Sequence, residues 1–331
     1  KISSIVHYHN SYFVGFLMDG ILLLEKQKET DHYQIQSLPI NSGVFCLKKD
    51  RFQDVVWIGT DGQGVYLYSN PLYSIKSMVL SNYTEKIERP VRAIYLDDEC
   101  TFWVGTKGNG ILKIYDYEFD KNISDCRAEV LTTSNSALSS NAVYCFAKSH
   151  RNLLWIGDEE GLTYYSYREK RIKSIPIRIG NEDFKYIHDI YETADSELWL
   201  ASVGMGVVKA RIAGTPDNPV IVDAQRYIIN DGELGSNYFF TIYAENEANL
   251  LFGNKGYGVF RYNETTNGLE PVSTHKYENM TLNNILAISK DSSNNYLFGT
   301  SYGLIKYTSE TSYQPVSYTH LRAHETRHDL V

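Results

Sequence analysis

The sequence is short of proline, with 8 residues, and of cysteine, with 4, and no apolar stretch approaches the length of about 18 that a bilayer-spanning helix requires. Four cysteines at this size cannot make a disulfide framework. Cys46 and Cys145 fall inside apolar segments and read as small buried hydrophobes, whereas Cys100 and Cys126 lie near turns and could pair, which spacing alone does not establish. Positive charge is also scarce: 32 Lys and Arg against 40 Asp and Glu give a net charge of −8. That excludes the basic footprint expected of a nucleic-acid binder and disfavours docking on an anionic membrane. No signal peptide precedes Lys1, so the chain is expected to be a piece of a longer protein.

What is abundant is aromatic side chains and glycine, with 27 tyrosines and 23 glycines, a composition that suits short strands joined by tight turns rather than disorder. Seven times an apolar segment runs into a glycine, and four or five residues later a second glycine opens another apolar segment. The first positions are Gly15, Gly59, Gly105, Gly157, Ala201, Gly253 and Gly299; the second are Gly20, Gly64, Gly110, Gly161, Gly206, Gly258 and Gly303. All four tryptophans, Trp57, Trp103, Trp155 and Trp199, stand two residues before the first position. A repeat of about 40 to 50 residues is the period of a propeller blade. The fold expected is all-β, a seven-bladed β-propeller of four-stranded antiparallel blades over residues 1–315.

Blade two shows the unit: Val44 to Leu47 as the innermost strand, Val55 to Gly59 as the second, Val65 to Tyr68 as the third, and a weakly marked outer strand near Ser74 to Val79. The second glycine supplies the positive φ of the hairpin between second and third strands, and the first, lacking a Cβ, lets a neighbouring blade approach. The large residue two positions earlier should fill the wedge between blades. In blades six and seven the aromatic moves one place on, to Phe252 and Phe298, which should turn it to the other sheet face.

A second fixed offset lies sixteen residues before the first position, where the chain leads into the innermost strand: Gly43, Arg89, Asn141, Lys185, Asn237 and Asn283. Turn chemistry accounts for asparagine there. The functional alternative is that these loops and the hairpins share one face around the channel, so that Arg89, Asn141, Lys185, Asn237 and Asn283, with Lys107, Lys255, Tyr257 and Tyr302 from the hairpins, converge on a ligand.

Several motif matches dissolve in this register. Gly299-Thr300-Ser301-Tyr302-Gly303 has the spacing of a nucleophile elbow, but it occupies the blade-seven hairpin, where sister blades carry Asp61, Lys107, Glu159 or Lys255. His324-Glu325-Thr326-Arg327-His328 matches a zinc-protease pattern, yet it ends three residues from the C-terminus and outside the repeat. Residues 316–331 resemble translated adapter sequence and read as a tail that is not part of the fold. His7 and His9 have no third ligand nearby, and His188 reads as a core histidine. No catalytic residue, metal site or cofactor is assigned.

The wording of the repeat resembles the two-component regulator propeller family. Leu138-Ser139-Ser140-Asn141-Ala142-Val143 with Leu154-Trp155-Ile156-Gly157 carry it in one blade, and Val56-Trp57-Ile58-Gly59-Thr60 with Gly64-Val65-Tyr66-Leu67-Tyr68 in another. The resemblance implies the extracytoplasmic, periplasmic sensing part of a hybrid two-component regulator of Bacteroidetes type, binding an oligosaccharide or other small ligand and signalling to a kinase outside this chain. It implies contact with the membrane only through segments missing here, no nucleic acid bound by this segment, and a parent sensor that could act as a homodimer. The alternatives are a propeller lyase or hydrolase, and a protein-interaction scaffold.

Overall fold

The computed structural model describes residues 1–26, 32–51, 54–69, 76–78, 87, 89–117, 126–229, 237–272, 284–301, 303–309 and 312–315. Asn283, Tyr302 and residues 316–331 lie outside them. Seven four-stranded antiparallel sheets follow one another along the chain, each built from four consecutive strands. Blade one runs Ile2–Tyr8, Ser11–Phe16, Ile21–Lys26 and Tyr33–Ser37 from the centre outward. The six other innermost strands are Val44–Lys49, Val91–Leu96, Val143–Lys148, Ile187–Glu192, Phe239–Asn246 and Ile285–Lys290. A small hairpin, Arg178–Ile179 with Glu182–Asp183, sits between blades four and five.

The alternation of the second strand explains how the blades stack. Successive side chains point to opposite faces of a sheet, so the residue two before the first glycine faces the next blade and the residue one before faces the previous blade. Trp57 thus packs with Val91 and Val104 of blade three, Trp103 with Val143 and Ile156 of blade four, Trp155 with Ile187 and Leu200 of blade five, and Trp199 with Phe239 and Phe252 of blade six. Phe13 does the same against Val44 and Ile58. Phe252 and Phe298 do lie on the opposite face, and their role is now visible. Phe252 comes back to meet Trp199, ring centroids 5.5 Å apart, and Phe298 meets Leu251 of blade six.

Three indole N–H groups end on buried or nearly buried carboxylates: Trp57 on Asp50 at 2.7 Å, Trp103 on Asp97 at 2.8 Å and Trp155 on Glu192 at 2.7 Å. A buried indole donor needs such an acceptor. The seventh junction closes the ring. Leu297 and Leu304 of blade seven share a core with Ile2, Tyr12 and Val14 of blade one. Among the described residues no strand is exchanged between the first and last blades, and the circle is closed by this packing together with the Ser292 N–H, which donates to the Tyr12 hydroxyl at 3.1 Å. The first glycines serve the close approach expected of them: a Cβ on Gly59 would come within 2.8 Å of Val91 Cγ1, and one on Gly299 within 2.8 Å of Ile2 Cγ2. Every second glycine has positive φ. Cys100 and Cys126 carry no disulfide.

Candidate functional site in the central channel

In each innermost strand the pairing with the second strand slips by one residue at the same place. Ile2 and Ser4 pair with Phe16 and Gly15, leaving Ser3 over; the same slip leaves Phe45, Arg92, Tyr144, His188, Phe240 and Leu286 unpaired. A β-bulge of this kind bends the strand and re-aims the extra side chain. All seven extra residues line one cavity of about 270 Å³, together with Lys1, Leu17, Lys255 and Ser301 from its rim.

The rim is held by a bond repeated seven times. The N–H two residues after the first glycine position donates to the carbonyl two residues before the bulged one: Leu17 to Lys1, Asp61 to Gly43, Lys107 to Pro90, Glu159 to Ala142, Val203 to Tyr186, Lys255 to Tyr238 and Ser301 to Asn284, at 2.7 to 3.2 Å. Hairpins and lead-in loops therefore do share one face around the channel.

Inside, the Arg92 guanidinium lies over the Phe45 ring, 4.1 Å from its centroid. Its Nε is buried and has no hydrogen-bond partner among the described residues. Burial lowers the Arg92 pKa, and Tyr144 and Asp61 oppose that shift. His188 stacks on Tyr144, centroids 4.3 Å apart and planes 18° from parallel, and meets Phe240 edge-on at 5.5 Å. Burial, helped by the charges of Arg92 and Lys107, pushes the His188 pKa down to about 3, so the imidazole is neutral near pH 7. The reading of His188 as a core histidine is corrected: the bulge turns it into the channel. Directly after it, Asp189 accepts a 2.7 Å hydrogen bond from the Ile242 N–H of the neighbouring blade, and burial raises its pKa to about 6.

The residues singled out in the sequence are placed variously. Lys255 lines the cavity rim, and Lys107 is exposed on the same face. The Asn141 side chain accepts from the Thr133 N–H at 2.9 Å and its carbonyl takes the Gly108 and Gly110 N–H groups. Asn237 repeats this, with Ile229 on its side chain and Gly204 and Gly206 on its carbonyl. Both asparagines thus tie one blade's hairpin to the next blade's lead-in loop. Lys185 pairs with Glu160 at 2.5 Å. Arg89 is exposed, and its backbone N–H donates to Asn109. Tyr257 is half-buried against the core of blades five and six. His9 pairs with Asp54 at 2.6 Å, His7 packs on Tyr12, and no cluster of metal-ligating side chains occurs among the described residues.

The bulged ring was absent from the sequence reading, although a signal for it exists. Twelve to fourteen residues before the first glycine position, an otherwise regular repeat carries Ser, Phe, Arg, Tyr, His, Phe and Leu, and such variety at one repeat position is what a ligand-facing ring would show.

No family model matches the chain. The extracellular domain of the hybrid two component system BT4673 from B. thetaiotaomicron is similar in fold, with a TM-score of 0.56 at 17% identity, over 97% of this chain and 43% of that one. A second structure of that domain gives 0.58 at 18% identity. The WD40 β-propeller domain of Doa1 superposes with a TM-score of 0.62 at 11% identity, over 92% of this chain and 91% of that one. Among curated proteins, translation initiation factor 6 of Saccharolobus solfataricus is 29% identical over 140 residues, which is 38% of this chain and 57% of that protein. The chain thus spans less than half of the BT4673 domain and is about the size of one complete propeller. The fold class is a seven-bladed β-propeller.

Proposed function

We propose that this propeller is the ligand-sensing module of a hybrid two-component regulator, working in the periplasm and binding an oligosaccharide at the mouth of its channel. The observation that carries the reading is the ring of bulged residues: one fixed position in seven blades delivers aromatic, cationic and hydroxyl side chains to a single cavity. A concave site with aromatic walls and a few polar groups is the usual form of a small-ligand pocket. Aromatic faces would stack on sugar rings while Arg92, Lys255 and Ser301 hydrogen-bond hydroxyl or acidic groups. The fold likeness to an extracellular domain of a hybrid two component system supports the sensor part of the reading.

The module acts by binding rather than by catalysis. Signalling requires that the ligand favour one arrangement of the sensor over another, with the kinase and membrane anchor supplied by the parent protein and a homodimer as its working form. A thermal-shift screen of the purified chain against glycan fragments tests the reading. A ligand present at 100 times its Kd should stabilise the fold by about 2.7 kcal/mol. No shift with any sugar would overturn it.

A further inference from the structure

We infer that the channel receives an acidic group of its ligand, a carboxylate or a sulfate, and that Arg92 is the residue that reads it; this rests on the ligand-binding reading above. The chain as a whole carries a net charge of −8, yet among the described residues the cavity is lined by Arg92, Lys255 and Lys1 and by no carboxylate. Asp61, which acts electrostatically on Arg92, is exposed on its hairpin and lies outside the lining. The interior field is therefore opposite in sign to the net charge of the molecule, and it favours an anion.

Arg92 itself is set up for a planar oxyanion. The bulge aims it into the cavity, and its guanidinium lies over the Phe45 ring, 4.1 Å from the centroid. A guanidinium facing a cavity lined by no carboxylate among the described residues is left to pair with whatever anion enters. A carboxylate or sulfate would offer it the paired oxygens that a guanidinium fork matches. His188, neutral beside it, adds a hydrogen-bonding edge without another charge.

Size decides how much of the ligand enters. A volume of about 270 Å³ is at the small end of pockets that bury a drug-sized ligand. One ring-sized acidic unit fits, and the rest of the chain must lie across the mouth. Tyr186 waits there, 42% exposed and held at φ +55°, a backbone conformation that a bulky aromatic side chain rarely adopts.

Calorimetry and thermal shift on the full chain with α-1,4-linked digalacturonate, a 6-O-sulfated disaccharide and neutral α-1,4-linked galactobiose test this. One or both acidic sugars should bind about 10- to 100-fold tighter than galactobiose, and Arg92→Gln should erase the difference. Should Arg92→Gln fail to fold, the wild-type salt dependence replaces it: affinity for the acidic sugar falls between 0.05 and about 0.5 M salt, and that for galactobiose does not. Equal binding of acidic and neutral sugars would overturn the inference and leave the sensor reading standing. Binding of benzoate or sulfate at Arg92 with no sugar bound would keep the anion site and sink the glycan reading. No anion bound would overturn the inference.

Discussion

Ala201 and Phe239 are a matched pair of exceptions. Ala201 is the only first-position residue that is not glycine, and Phe239 of the next blade is the only inner-strand partner that is not β-branched; Val44, Val91, Val143, Ile187, Ile285 and Ile2 occupy the other six places. A β-branched residue puts a methyl where the Cβ of a facing alanine would go, whereas phenylalanine has none there. The two deviations therefore compensate.

The pair predicts unequal losses for two single substitutions. Gly59→Ala would place a Cβ 2.4 Å from Cys46 Sγ and 2.8 Å from Val91 Cγ1, and should cost about 1–3 kcal/mol through overpacking. Ala201→Gly removes one methyl and adds chain entropy, and should cost about 1 kcal/mol or less. Urea denaturation midpoints would show the order, and equal losses would refute the steric account.

Asp97 should be a second point of failure. It is 1% exposed, accepts from the Trp103 indole at 2.8 Å, and also takes the Glu99 and Thr101 N–H groups at 3.0 and 2.7 Å. The Tyr167 hydroxyl pairs with it too, so Asp97→Ala leaves four donors without their acceptor and should cost about 2–4 kcal/mol. Near-UV circular dichroism would register the loosened Trp103. Asp97→Ser, with one oxygen for these donors, should fall between wild type and the alanine variant.

The buried imidazole gives a pH signature. His188 has a folded pKa near 3 against an ordinary 6.5, so between those values the unfolded chain binds the extra proton and stability falls as pH drops. Asp158 and Asp189, both raised to about 6, work the other way: the folded chain binds their protons first, and stability rises as pH drops from about 6 towards 4. Replacing His188 by Gln removes only the first effect. Relative to wild type, His188→Gln should gain stability on going from pH 7 to pH 4.5 in urea titrations; parallel profiles would show that His188 is not buried neutral.

The ring should open first where blade seven meets blade one. That junction relies on Leu297 and Val14 at the two facing positions, where other junctions carry Trp or Phe at one or both, and among the described residues no exchanged strand backs it up. Amide hydrogen exchange should therefore be faster in Ile2–Tyr8 than in Val143–Lys148. Leu297→Ala should cost about 2–5 kcal/mol and widen that gap. Uniform protection around the ring would contradict the seam.

Much of the fold was legible because the constraints on it repeat. A second glycine such as Gly64, at φ +79°, is required by a local turn, and Trp57 marks a wedge that recurs as Phe13, Trp103, Trp155 and Trp199 in blades one, three, four and five. The shift of Phe252 was legible as a change of sheet face but not as a purpose, since only the neighbouring blade shows that it meets Trp199. The site was less legible. Lys255 was reached through its hairpin, but Arg92, Tyr144 and His188 were not, because the alternation of a regular strand does not reveal a bulge.

The sequence by itself determined the number of blades, the strands within each, the hairpins and the faces that meet, because each depends on residues close in the chain and repeated seven times. Tertiary structure decided the rest. Closure of the circle brings Ile2 against Leu297, residues at opposite ends of the chain. Convergence on the axis puts Arg92 over Phe45 and His188 over Tyr144, each pair more than forty residues apart. Charge of one sign could collect inside a chain of the other sign only once Lys1, Arg92 and Lys255, from three different blades, faced a common centre.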